Sequence, residues 1–247
     1  MAWIAWGLAA ALFAGWTVRG GKLTAGGAAA AVVLAGVVGG FAGVAWWVPL
    51  FVFFLSSVAI GRWLPAEKDA GDEKDARPRD AIQVLCNGGV YGLMTLTGAA
   101  PTLLLVAMAV ATADTWASEV GKFFRQPTYD ILRWRRVPPG LSGGVSGAGT
   151  LAGATGAVLL AASGWLVTDP YPWSDAVTVA GWGFAGMLID SVLGAAVQAR
   201  YRGADGTLTD RGGGDKIRVR GYPWMSNDGV NLASIAVTVA LAWLSGR

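Results

Sequence analysis

The feature that most limits how this chain can fold is a series of long apolar segments separated by short basic loops. Only 14% of the residues are charged, whereas soluble domains carry about 25%. An α-helix needs roughly 20 predominantly apolar residues to cross a bilayer, and several segments approach that length. The pattern therefore predicts an all-α fold, a polytopic bundle of transmembrane helices.

We predict eight helices, with seven as the alternative because the fourth is short and the second and third are closely joined. Their bounds are about 2–18, 24–40, 43–61, 81–97, 101–121, 141–164, 176–198 and 228–244. The first is expected to be retained rather than cleaved as a signal peptide, because Arg19 follows the apolar run instead of preceding it. Residues 1–247 are expected to form one integral-membrane domain, with residues 62–80 as a charged cytoplasmic linker.

The basic residues indicate the orientation of these helices. All 19 Lys and Arg residues except Arg247 lie in the loops that follow the first, third, fifth and seventh helices, and the intervening loops have none. Because basic loops are retained in the cytoplasm, both termini are expected outside it. The net charge of +3 is thus explained by topology, and we expect no nucleic-acid partner. The predicted location is the cytoplasmic membrane.

The absence of one residue type excludes several classes of chemistry. The chain has no histidine and a single cysteine, Cys86. Hydrolases that use a Ser–His or Cys–His pair, and the usual zinc enzymes, are therefore excluded. The remaining ligands are oxygen atoms of carboxylates, amides and the backbone, which suit Mg²⁺.

Polar residues within the predicted helices converge at one end of the bundle. At 1.5 Å per residue, those on the fourth, fifth, seventh and eighth helices lie within roughly 5–15 Å of the cytoplasmic surface. A charged group inside a bilayer costs at least about 2.5 kcal/mol and normally marks a functional cavity, although interhelical hydrogen bonding is the alternative. We predict that Asp114, Glu119 and Asp190 are catalytic, and that these three together with Asp228 hold Mg²⁺.

Two glycine-rich stretches border the predicted site. Residues 139–146 are expected to open the sixth helix, whose N-terminal N–H groups would attract phosphate. Residues 211–216 combine three glycines with Lys216, although a flexible linker would look the same. The predicted nucleotide- or phosphate-binding residues are Asn87, Ser118, Lys122, Ser142, Gly143, Gly144, Ser146, Ser191, Lys216 and Asn231.

These residues also carry a resemblance to a known membrane family. The sequences ADTWASEVG (113–121), VPPGLSGGVS (137–146) and DSVLGAAVQ (190–198) resemble motifs of the family that includes the plant phytyl-phosphate kinase of the vitamin E pathway and transmembrane protein 19. The matches span roughly residues 80–235. The chain departs from the family pattern at Leu141–Ser142, where Thr followed by Asn or Asp is usual, so Ser142 must substitute in any side-chain role at that position or the role is lost.

The resemblance implies phosphorylation of a prenyl monophosphate, such as phytyl phosphate, to the diphosphate, with CTP as the nucleotide. Nothing in the residues themselves favours CTP over ATP. Two alternatives stay open: a cytidylyltransferase that forms a CDP-lipid at the same site, and a lipid or solute transporter. The sequence does not indicate which lipid is used or the oligomeric state.

Overall fold

The computed structural model describes residues 2–64 and 77–246. In these ranges the chain forms eight α-helices. Some of the segments that connect them contain short strands or a 3₁₀ helix. The helices are α1 (Ala2–Arg19), α2 (Ala25–Phe41), α3 (Trp47–Trp63), α4 (Ala81–Leu96), α5 (Pro101–Phe124), α6 (Gly147–Ala162), α7 (Trp173–Val197) and α8 (Asn227–Ser245). The all-α prediction and the count of eight are confirmed.

The α5 helix is the centre of the bundle. Its residues 104–113 are all buried, and it packs against α3, α4, α6, α7 and α8. A helix that is apolar on every side must be covered by protein or by lipid, and here neighbouring helices cover this stretch. Small residues allow α7 to come close enough: a Cβ atom added at Gly183 would lie 2.7 Å from the Cβ atom of Ala109.

Helix length and composition are those of a membrane protein. Among the described residues, five helical segments are long and apolar enough to cross a bilayer: Val44–Trp63, Pro101–Phe124, Gly147–Leu166, Trp173–Val197 and Asn227–Ser245. The helices Ala25–Phe41 and Ala81–Leu96 are apolar but shorter. Large apolar side chains such as Leu12 and Leu151 remain exposed on the outer surface, as expected of a bundle surrounded by lipid.

The predicted start of the sixth helix at residue 141 is wrong. Gly140 and Gly143 have φ angles of 82° and 77°, a left-handed backbone that a right-handed helix cannot contain. The helix begins only at Gly147, after Ser146 has accepted a hydrogen bond from the N–H of Gly149 (3.2 Å). The preceding residues instead form a strand and a loop.

Two small antiparallel sheets, which the sequence analysis did not predict, follow α5 and α7. The first has the order β2-β1-β3, with β1 at Thr128–Asp130, β2 at Arg136–Val137 and β3 at Gly144–Val145. The second has the order β5-β4-β6, with β4 at Arg200–Arg202, β5 at Leu208–Thr209 and β6 at Ile217–Arg220. We call these two sheets with their loops the polar cap.

Most of the predicted charged linker, residues 65–76, lies outside the described residues. The chain after it is anchored to the loop between α1 and α2 by a parallel bridge between Leu23 and Arg79. Asp80 and Gln83 then form a capping box at the start of α4. The polar residues of α4 therefore begin at a fixed position beside α2.

Candidate functional site

Four helices place polar side chains in one cluster beneath the polar cap. Asp114 of α5 and Asp190 of α7, which we call the acid pair, lie within hydrogen-bonding reach of each other. The hydroxyl oxygen of Ser234 on α8 lies 2.8 Å from Asp190 Oδ2 and 3.0 Å from the carbonyl oxygen of Asn231. The convergence of α5, α7 and α8 expected from the sequence is thus present in the fold.

A chain of amide groups extends the cluster to the fourth helix. Asn227 donates to Asn231 Oδ1 (3.5 Å), and Asn231 donates to Asn87 Oδ1 (3.4 Å). Asn87 in turn donates to the backbone oxygen of Gln83 on α4 (2.9 Å). The structure therefore brings together the predicted residues Asn87, Asn231, Asp114 and Asp190.

The two carboxyl groups of the acid pair need a proton or a positive charge between them. Asp190 is only 7% exposed, and two carboxylates this close in a medium of low dielectric constant cannot both be ionised without a compensating positive charge. Lys122, two turns further along α5, attracts Asp114 electrostatically. The pair must therefore share a proton or meet a cation.

The other two predicted metal ligands are placed differently. Glu119 is half-buried five residues beyond Asp114, and Asp228 is buried in the first turn of α8. Within residues 2–64 and 77–246, no group of three or more His, Cys, Asp or Glu side chains is arranged to hold a metal ion. Mg²⁺ is commonly held by one or two carboxylates with water and substrate phosphates, and the acid pair fits that donor set. The roles of Glu119 and Asp228 stay predictions.

The segment that we call the glycine loop, residues 139–146, rests on the end of α7. A Cβ atom added at Gly143 would lie 2.6 Å from the Cα atom of Ala195, so only glycine permits this approach. Ser142 is held by three groups: its N–H donates to Asp210 (2.6 Å), its hydroxyl donates to Gln198 (2.7 Å), and its carbonyl accepts from Arg200 (2.6 Å). The loop is thus fixed to both α7 and the second sheet.

The phosphate-binding role expected for the start of the sixth helix has less support. The N–H of Gly149 is satisfied by Ser146, and that of Ala148 donates to Gln126 Oε1 (2.9 Å). Two of the groups on which that expectation relied therefore already have acceptors. Gly144 lies in β3, where it pairs with Asp130, so its backbone serves the first sheet.

Lys122 lies between the acid pair and the glycine loop. A Cβ atom at Gly140 would be 3.0 Å from Lys122 Cε, and the ammonium attracts both Asp114 and Asp210. Ser118 is exposed and Ser191 is half-buried on the flanking helices. Lys216 is half-buried in the loop before β6 and interacts electrostatically with the exposed Asp205.

Sequence reasoning missed an ion-pair centre in the polar cap. Asp130 is 2% exposed, and its Oδ2 atom lies 3.3 Å from Arg200 Nη1 and 3.6 Å from Arg220 Nη1. Burial alone would raise the pKa of Asp130, but hydrogen bonds from Arg200 and from the N–H groups of Leu132 and Arg133 hold it below its ordinary value. Because Asp130 and Arg200 are 70 residues apart, no local pattern could have paired them.

Asp210 was also missed, although it adjoins the glycine-rich stretch at 211–216. Burial raises the pKa of its carboxyl group, against the opposing effects of the Ser142 N–H, Arg200 and Lys122. In the part of the chain that the structure describes, Asp210 Oδ1 is buried without a hydrogen-bond partner. The only available signal was an aspartate two residues before a run of glycines in a basic loop.

Comparison with known proteins identifies relatives for most of this chain. Protein PGR of Arabidopsis thaliana is 28% identical over 223 residues, covering 76% of this chain and 77% of that protein. The uncharacterized membrane protein MJ0933 of Methanocaldococcus jannaschii is 30% identical over 160 residues, covering 63% of this chain and 66% of its own length. Protein VTE6, chloroplastic, of Arabidopsis thaliana is 28% identical over 235 residues, covering 90% of this chain and 65% of VTE6.

No solved structure matches the chain significantly. The family model described as "Integral membrane protein DUF92" matches residues 8–239, which include all eight helices in whole or in part and both sheets. This chain therefore belongs to the DUF92 family of integral membrane proteins.

Proposed function

We propose that this protein is a membrane-embedded prenyl-phosphate kinase, which transfers the γ-phosphate of a nucleoside triphosphate to an isoprenoid monophosphate. The single observation that carries the proposal is the acid pair, Asp114 and Asp190, held by α8 and adjoining Lys122 and the glycine loop. The 28% identity to VTE6 supports it, and the sequence motifs that resemble those of the phytyl-phosphate kinase family contain both aspartates. We take CTP as the donor and phytyl phosphate as an example of the acceptor.

The reaction needs positioning and charge stabilisation more than acid–base catalysis. A phosphate oxygen of the lipid attacks the γ-phosphorus, the bond from that phosphorus to the β,γ-bridging oxygen breaks, and the products are the lipid diphosphate and CDP. Because the acceptor is already an anion, no histidine is required as a base. Phosphoryl transfer depends mainly on alignment and on neutralising the phosphate oxygens.

The side chains of the site have distinct roles in this proposal. Asp114 and Asp190 would hold Mg²⁺, which when bound neutralises and orients the nucleotide phosphates. Ser234 fixes the rotamer of Asp190 through its hydrogen bond. Lys122 supplies a positive charge on the side of the glycine loop, where the nucleotide phosphates would lie.

The Lys and Arg distribution further supports a site that faces the cytoplasm, in the cytoplasmic membrane. The nucleotide would then enter from the aqueous side past the polar cap. The lipid would reach the same site from the adjacent leaflet.

The test is label transfer by purified protein in detergent with Mg²⁺ and geranylgeranyl monophosphate. We expect γ-labelled CTP to yield labelled lipid diphosphate, and we expect removal of Mg²⁺ with a chelator to stop the reaction. Asp190→Asn should lower turnover at least about 100-fold, since it weakens the metal ligation. Asp175→Asn, at the opposite end of α7, is the matched control and should retain activity.

Two outcomes would contradict the proposal. Transfer of α-label to the lipid with release of pyrophosphate would make the protein a cytidylyltransferase. Normal label transfer by Asp190→Asn would remove the acid pair from the chemistry.

A further inference from the structure

A second feature of the fold is a cleft beside the first half of α4. It has a volume of ≈ 150 Å³ and is lined mainly by α1, α2, α3 and α4, with Met108 of α5 also in its wall. Most of its wall is apolar or aromatic, including Trp6, Phe13, Trp47 and Phe54. Ala9 and Phe51 on its rim are exposed, so the cleft opens on the outer surface of the bundle, where lipid would surround it.

One end of this cleft is polar. Gln83 and Asn87 are four residues apart on one face of α4, and Arg79, just before the helix, lines the same end. The Arg79 guanidinium lies 5.8 Å from the centre of the Phe53 ring, which is itself part of the wall. A positive charge and two amides at one end of an apolar cleft complement an anionic head group on an apolar chain.

The polar end is continuous with the acid pair. Asn87 both lines the cleft and accepts the hydrogen bond from Asn231. The backbone oxygen of Asn231 lies 3.0 Å from the Ser234 hydroxyl, which reaches Asp190 at 2.8 Å. A head group at Asn87 would therefore lie beside the hydrogen-bonded network that ends at Asp190.

We infer that this cleft binds the first isoprene units of the lipid monophosphate, with the phosphate between Arg79 and Asn87 and the rest of the chain leaving sideways into the bilayer. The inference rests on the proposed function for the identity of the lipid. The inference adds a binding site formed mainly by α1–α4. These four helices carry neither residue of the acid pair.

The depth of the cleft suggests a chain-length test. We compare depths from the helix ends on the predicted cytoplasmic side. Asn87 lies seven residues from the N-cap of α4, about 10 Å deep. Ala10 lies nine residues from the C-terminal end of α1, about 14 Å deep. Ala10 also lines the cleft, whereas its neighbour Ala11 is exposed and does not. A bulky residue at position 10 would therefore obstruct the chain beyond the head group.

We expect Ala10→Phe to raise the KM for geranylgeranyl monophosphate about tenfold through steric overlap. The KM for nucleotide and the turnover of the five-carbon dimethylallyl monophosphate should be unchanged. Ala11→Phe adds the same volume next to it and should leave both lipids unaffected. Equal effects of Ala10→Phe on the short and the long substrate would overturn the inference.

A binding experiment on the unmodified protein keeps the inference separate from the enzyme activity. Geranylgeranyl monophosphate with a diazirine on its second isoprene unit would be photolysed with the protein in detergent, and adducts mapped by mass spectrometry. We expect adducts on residues 6–13, 31–35 and 47–54, competed by unlabelled geranylgeranyl monophosphate but not by phosphatidylglycerol.

Adducts on α6 or α8, or equal competition by phosphatidylglycerol, would overturn the inference. If adducts map to the cleft and no phosphate is transferred, the lipid site stands and the kinase proposal fails. If phosphate is transferred and the adducts lie elsewhere, the kinase proposal stands and the cleft is not the lipid site.

Discussion

The ion-pair centre at Asp130 offers a quantitative test of how the polar cap is held together. Asp130 accepts charge-assisted hydrogen bonding from Arg200, which also holds the carbonyl of Ser142 in the glycine loop. At 3.3 Å the Asp130–Arg200 attraction is about 5 kcal/mol for an effective dielectric constant of about 20. Desolvation offsets part of this value. We therefore expect that loss of this ion pair destabilises the closed polar cap by about 3 kcal/mol, the lower end of the range for removing one partner of a buried pair.

Asp130→Asn keeps the size of the side chain but removes its charge, so the largely buried Arg200 loses its ion pair at 3.3 Å and keeps only the attraction of Asp210. A loss of about 3 kcal/mol corresponds to a roughly 150-fold larger fraction of molecules in which the cap is open. Hydrogen–deuterium exchange measured by mass spectrometry in detergent reports this fraction, because amide exchange follows local opening. Peptides covering 200–220 should exchange about 100-fold faster, while those of α5 should not change.

Two comparisons make the test specific. Asp205→Asn replaces a fully exposed aspartate in the turn between β4 and β5 and should leave exchange unaltered. The pKa of Asp130 is lower in the folded protein than in the unfolded chain. Its contribution to the stability of the polar cap is therefore complete above the unfolded pKa of about 3.9, and it is lost as the pH falls through the folded pKa. The wild-type cap should thus loosen only below about pH 4. Exchange within threefold of wild type in Asp130→Asn would refute the assignment.

Three further predictions concern the bundle. Ser234→Ala removes the hydrogen bond to Asp190 and should lower kcat about tenfold in the label-transfer assay, with an unchanged KM for the nucleotide. The control Ser245→Ala, at the far end of α8, should have no effect. Tyr91→Phe removes a buried 2.6 Å hydrogen bond to the backbone oxygen of Trp46 and should lower the free energy of unfolding by about 1 kcal/mol, and an unchanged denaturation midpoint would contradict this. Asp205→Cys in a Cys86→Ser background should react with an impermeant maleimide only after the cells are permeabilised, and labelling of intact cells would reverse the proposed orientation.

Much of the bundle followed from the sequence. The apolar runs predicted all eight helices, most to within a few residues, because a bilayer imposes length and apolarity on each helix separately. The alternation of loops then placed Asn87, Asp114, Asp190 and Asn231 at one depth, and the structure connects these four helices. This succeeded because adjacent membrane helices run antiparallel, so depth can be counted along each one.

Only the tertiary structure decided what those residues touch. The glycine loop was read as helix because its local composition does not show that Gly140 and Gly143 adopt left-handed angles. The strands of the cap are two to four residues long, too short for any periodicity. Asp130 and Arg200 meet across 70 residues, and the cleft needs four helices. The sequence by itself determined which segments form the apolar helices, because that depends on each segment's own composition. The fold decided the site, because its contacts exist only once the helices are packed.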